Sequence, residues 1–213
     1  METDATYKIA VERHVREHLS AVAAQHEGVR ARGLGLVLRD GRTEIASLTL
    51  QPLRNAGGWV ATMAVQCPQA LAFCQQWADG TPTALFNPHL LMATTSSGGG
   101  MPGFADQSGA IVRAGTRDAD ALAVHLVERL TASGLARAQA WRTASLSLID
   151  DVVAHAAFYA WPLQTVLYIA HRNGLHADDP RLDDALQRRA IMRRGQRDRA
   201  LVEQVLPAAR MTR

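Results

Sequence analysis

Two alternating apolar runs hinged on an Asp-Gly pair constrain this chain more than any other feature. Residues 34–38 read Leu-Gly-Leu-Val-Leu, and after Arg39 the pair Asp40-Gly41 supplies the positive-φ positions that a tight type I′ hairpin turn requires. Residues 43–51 then alternate, with Ala46, Leu48 and Leu50 on one face and Ser47 and Thr49 on the other. Pro52 removes a ladder donor and helps to end that strand. Residues 59–66 alternate again, placing Trp59, Ala61, Met63 and Val65 together. An antiparallel meander follows from these periods, with a fourth strand predicted at residues 109–114.

Helical periodicity flanks the meander. Over residues 7–27, Val11, Val15, His18, Leu19 and Val22 fall on one side, with Glu12, Arg13, Arg16 and Glu17 away from its centre. Residues 69–77 predict a short helix, and everything after Thr116 reads as helical. Thr116 or Asp118 is expected to cap a helix through Leu130 that stops at Ser133-Gly134. Ser145 or Ser147 opens a second, through Phe158. Pro162 opens a third, which stops at Asn173-Gly174. Asp178-Asp179-Pro180 opens a fourth that runs to Val205 and is weakened by Gly195. The expected class is therefore α+β: an N-terminal helix, a three- to four-stranded antiparallel sheet and a C-terminal half of about four helices. We expect a single domain over residues 1–213, with the helical part (116–213) packed on the helix and sheet of 1–115.

The order of these elements carries a resemblance. Leu48, Gln51 and Arg54, followed by the outgoing strand that ends near Pro68, and the later stretch from Gly109 through Leu130 to Trp141, resemble an uncharacterised bacterial domain-of-unknown-function family over about residues 10–145. The resemblance implies an N-terminal helix, an antiparallel meander and trailing helices. The family has no established reaction, so no catalytic residue comes with it.

Composition excludes several classes. Hydrophobic residues make up 47% of the 213, enough for a core without disulfide or metal staples, and aromatics only 5%, which favours helix packing over an aromatic-rich sandwich. The only cysteines, Cys67 and Cys74, are seven residues apart, a spacing of neither a disulfide framework nor a zinc ligand set. A reducing cytoplasm is the expected compartment. The N-terminus has no basic segment leading into an apolar one, so no signal peptide is expected. The apolar stretch 156–170 is broken by Pro162, Gln164 and Thr165, short of the ~20 residues of a membrane span. It reads as a buried core helix.

Four motifs invite chemistry. His14, Glu17 and His18 match H-x-x-E-H, in which two histidines one helical turn apart hold zinc and the glutamate acts as base. That chemistry needs a further acidic ligand from a downstream helix in a larger chain. A satisfied core histidine is the expected role of His18, with a small metal-dependent hydrolase as the alternative. The Ser/Gly-rich loop 94–103 lacks the lysine of a phosphate loop and the G-x-S-x-G of a nucleophile elbow, and is expected to be a flexible surface insertion. Asp150, Asp151 and His155 place carboxylates near an imidazole with no serine or cysteine nucleophile beside them. We therefore assign no catalytic residue, metal ligand or cofactor from the sequence.

The fourth motif is charge. The net charge is +3, yet residues 181–213 hold nine arginines and four acids, a local +5 that leaves the remainder at −2. Arg188, Arg189, Arg193, Arg194 and Arg197 are the expected partner-binding residues, with Arg189, Arg193 and Arg197 stacked at one-turn intervals on a continuous helix. No nucleic-acid reader motif or interleaved aromatics accompany them, so nucleic-acid binding is the secondary expectation. The leading expectation is a non-enzymatic protein-interaction domain of immunity or antitoxin-like type, meeting an acidic protein partner and no membrane.

Overall fold

The computed structural model describes residues 4–53, 58–78, 87, 89–106, 108–112 and 118–208. The N-terminal helix α1 (Asp4–Gln25) buries Tyr7, Val11, Val15 and Leu19, a stripe at steps of four, as the period of 3.6 requires. It is followed by β1 (Val29–Ala31), β2 (Gly35–Asp40), β3 (Thr43–Pro52) and β4 (Gly58–Val65). The β2–β3 hairpin closes at Asp40 opposite Thr43, with Gly41 at φ +55°. β3 and β4 pair in the register Ala46–Val65, Leu48–Met63 and Leu50–Ala61, so both alternating sets share the face that is buried. α2 (Pro68–Trp77) then leads to β5 (Met92–Thr95) and β6 (Ala110–Val112).

The class is α+β, with an antiparallel sheet of six strands among the described residues. Two of these have no strong sequence signal: β1 and β5 are three and four residues long, too short to show a period. The order is β1-β2-β3-β4-β5, and β6 also lies along β4, where Gly58, Trp59 and Val60 face Val112, Ile111 and Ala110. Beyond that short ladder the amide of Ala61 donates to Ser96 Oγ at 3.0 Å, and the same hydroxyl donates to the Gly109 carbonyl at 2.5 Å.

This tie overturns the expectation of a flexible Ser/Gly insertion. Ser96, Gly100, Met101 and Phe104 are buried, and Arg137 donates to the Gly100 carbonyl at 2.8 Å. Gly109 sits at φ +66°, and a Cβ there would lie 2.4 Å from the Ser96 carbonyl oxygen.

Helix α3 (Ala119–Thr143) is capped by Asp118, whose Oδ1 accepts from the amides of Asp120 and Ala121. Thr116, the alternative cap, and residues 113 and 114 of the expected fourth strand lie outside the described residues. The expected stop at Ser133-Gly134 is corrected, because α3 runs straight through it. A Cβ at Gly134 would meet Leu48 Cδ2 at 2.5 Å and Met101 Cε at 3.2 Å. Glycine here answers a close approach of helix to sheet rather than a helix end.

The chain divides into two compact units, Met1–Val65 with Ala93–Gln139, and Gln66–Met92 with Ala140–Arg213. These are interleaved along the chain rather than being the expected parts 1–115 and 116–213. In the second unit, α4 (Ser147–His155), α5 (Pro162–Arg172), α6 (Asp183–Gln187) and α7 (Gln196–Val205) join α2. Every residue of α5 from Pro162 to Ala170 is buried. Phe73 of α2 packs edge-on to Tyr168 of α5, with ring centroids 5.6 Å apart. No helix among the described residues is long and apolar enough to cross a membrane.

The fourth C-terminal helix expected over 178–205 is instead a 3-10 turn (Pro180–Leu182), the short α6, a run of turns and α7. Gly195 adopts φ +56° and separates rather than weakens the helices.

Ser96→Ala is expected to leave the Ala61 amide and the Gly109 carbonyl unpaired in a buried setting, costing about 2–4 kcal/mol in urea unfolding. Gly109→Ala, which adds strain and a main-chain clash, is expected to cost at least as much.

Candidate functional site

The histidine pair on α1 is where the motif points, and the fold brings to it a residue that the sequence does not suggest. Asp120, in the first turn of α3, lies 3.3 Å from His14 Nδ1 and 2.8 Å from His18 Nε2 through its Oδ1. Glu17 Oε2 is 3.1 Å from His14 Nδ1. Arg13 Nη2 lies 3.2 Å from His14 Nε2. Guanidinium only donates, so Nε2 of His14 accepts and its Nδ1 carries the proton that faces the carboxylates. The hydrogen bond from His18 holds the Asp120 carboxyl below the usual carboxylate range. Asp120 Oδ1 thus occupies the point on which both imidazoles converge, and the cluster is an interhelical hydrogen-bonded clasp. Among the described residues no group of three such side chains is arranged to hold a metal ion. His18 is partly exposed, where a buried core histidine was expected.

The second acidic cluster is also held internally. Tyr159, itself buried, donates its hydroxyl to Asp151 Oδ2, and His155 Nδ1 lies 3.5 Å from Asp151 Oδ1. Asp150 is exposed on the same helix. The two cysteines are buried as well. Burial raises the Cys67 thiol, and burial pushes Cys74 up to about 12 against the lowering hydrogen bond with Thr165. Neither is poised as a thiolate nucleophile.

The C-terminal arginines do not form the expected stripe. Residues 188–195 are turns, so Arg189, Arg193 and Arg197 do not stack along one helix. Asp184 takes Arg188 at 3.0 Å, and the buried Asp198 takes Arg194 through both its amide (2.8 Å) and its Nε (3.1 Å). Arg193 donates to the Ala190 carbonyl at 2.9 Å. Upstream, Asp179 accepts from Arg181 Nη2 at 2.7 Å, Nε at 2.8 Å and the main-chain amide at 3.0 Å. Local acids thus pair with Arg188 and Arg194 of the run and with Arg181 upstream.

A different cationic surface is open. On β1–β3, Arg30, Arg32 and Arg39 line a hollow of about 230 Å³ together with Val37 and Glu44. Glu44 binds Arg32 in a two-point fork at 2.8 and 3.0 Å. Arg39 donates its Nη2 to the Arg42 carbonyl, while its buried Nε finds no partner among the described residues. Among the described residues no carboxylate pairs with Arg30 or Arg39. No periodic pattern or motif marks this group. Its signal is four arginines within residues 30–42, which strand alternation and the hairpin gather onto neighbouring positions.

No family model, curated protein or solved structure matches the chain.

Arg181 holds the Asp179 carboxyl down at about 2. A depressed folded-state pKa contributes stability that is full above the ordinary carboxylate value near ~3.9 and lost as pH falls from there through about 2. Carboxyl NMR titration is expected to place the Asp179 midpoint near that low value, and Arg181→Ala to move it up towards the ordinary one.

Proposed function

We propose that this chain is a non-enzymatic, cytoplasmic protein-interaction module that engages an acidic protein partner through the arginine-lined hollow of β1–β3. The observation that supports the reading most directly is the uncompensated charge at Arg30 and Arg39 beside a single internally used carboxylate. Guanidinium forks match carboxylates in two-point geometry, and Val37 gives the hollow an apolar floor. Strands hold the arginines on a rigid ladder, so little ordering entropy is lost on docking. An immunity or antitoxin-like protein, which neutralises its partner by covering it, fits this description. The clasped state of the His14, His18 and Asp120 group supports the non-enzymatic part of the reading.

Nucleic acid is the second reading, since phosphates suit the same guanidinium groups. Affinity capture of the tagged protein from its native lysate, with and without nuclease, separates the two. One protein partner is expected to survive nuclease. It should bind at least about tenfold more weakly to an Arg30→Glu/Arg39→Gln variant, and unchanged to Arg189→Glu/Arg193→Glu. Loss of all bound material on nuclease treatment would transfer the function to nucleic acid. The reverse pattern of variants would return the interface to the C-terminal arginines.

A further inference from the structure

A second concavity lies in the first unit, between residues 104–106 and 108–112 on one side and helix α3 on the other, with a volume of about 340 Å³. That is within the size range of small-molecule sites. Its walls are of two kinds. Phe104, Ile111 and Leu122 supply apolar surface, while Asp106 stands on the loop and His125 and Arg129 stand one turn apart on α3. Ser108 also lines it, but its hydroxyl is occupied by the main chain of Ala110.

The charges here are opposite in sign and, among the described residues, unpaired. Asp106 and Arg129 line one cleft, yet neither forms an ion pair among the described residues, and the buried Nε of Arg129 has no hydrogen-bond partner. A cation and an anion that face a shared space without closing on each other leave room for a ligand carrying the complementary pair. A simple anion would satisfy Arg129 and be repelled by Asp106, and a simple cation the reverse. A zwitterion satisfies both at once.

We infer that this cleft binds a small zwitterion of the amino-acid class, an ammonium and a carboxylate on one apolar body. The carboxylate meets the Arg129 guanidinium, with His125 as a further donor beside it. The ammonium meets Asp106, and the apolar side chain lies on Leu122, Ile111 and Phe104. This site shares no lining residue with the arginine hollow on β1–β3.

The test is titration of the full chain with L-leucine and L-phenylalanine, followed by calorimetry and by ligand-observed NMR. Saturable binding of at least one is expected. The matching amide, which lacks the carboxylate, and the N-acetyl derivative, which lacks the ammonium, should each bind at least about tenfold more weakly. Arg129→Gln and Asp106→Asn should weaken the free amino acid by the same factor, with Arg30→Glu as an unaffected control. Asp106 is exposed, so its variant keeps the test decisive if the Arg129 variant folds poorly. Absence of saturable binding up to about 10 mM would overturn the inference. So would binding that is indifferent to both end groups and both substitutions.

Discussion

The hydroxyl of Ser96 stands at a junction that the rest of the first unit relies on. β4 has one edge on β3, and its other edge is shared by β5 and the three-residue β6. A ladder of three residues is marginal by itself. Ser96 accepts from the Ala61 amide of β4 and donates to the carbonyl of Gly109, immediately before β6, so one buried group joins the strand, the loop and the incoming strand. Each such buried bond is expensive to leave unmade, on a scale set by a total stability of about 5–15 kcal/mol. The ordered loop in turn buries Met101 and Phe104, and the cleft beside α3 takes its wall from the residues that follow. A segment whose composition suggests a linker is therefore a structural part.

Charge placement follows a similar logic. The C-terminal arginines occupy turns and short helices in which an acid lies four residues away, Asp184 for Arg188 and Asp198 for Arg194. Such local pairs form at little cost because the chain already places them together. The arginines of β1–β3 alternate along strands and gain neighbours only across the ladder. There Glu44 serves Arg32, and among the described residues no second acid serves Arg30 or Arg39. The denser run of charge in sequence is thus partly paired by its own local acids, and the sparser one depends on what the ladder brings alongside.

The histidine pair shows how a motif can hold while its chemistry changes. His14 and His18 share a helical face as the spacing demands, and an acid does arrive from a later helix. Asp120 lies 102 residues downstream of His18, a pairing that no local pattern announces. Its oxygen sits where the two imidazoles point, so their hydrogen-bonding capacity goes into joining α1 to α3.

By itself, the sequence determined the elements whose signals are local. Period two in β3 and β4, the Asp40-Gly41 hinge, the stripe of α1, and Pro162 with Asn173-Gly174 around α5 each rest on steric and periodic rules acting over a few residues. Tertiary structure alone decided the rest. It paired β1 with β2 and β5 with β4, both too short to carry a period, and it carried α3 through Gly134, where a stop signal yielded to close packing on Leu48. It broke the last predicted helix into pieces around Gly195, so the arginine stripe never formed. It also assembled Arg30 with Arg39, and Asp106 with Arg129, across turns and ladders. Local energies choose a residue's conformation, but which distant residues face one space depends on how whole elements pack, and no short window of sequence contains that information.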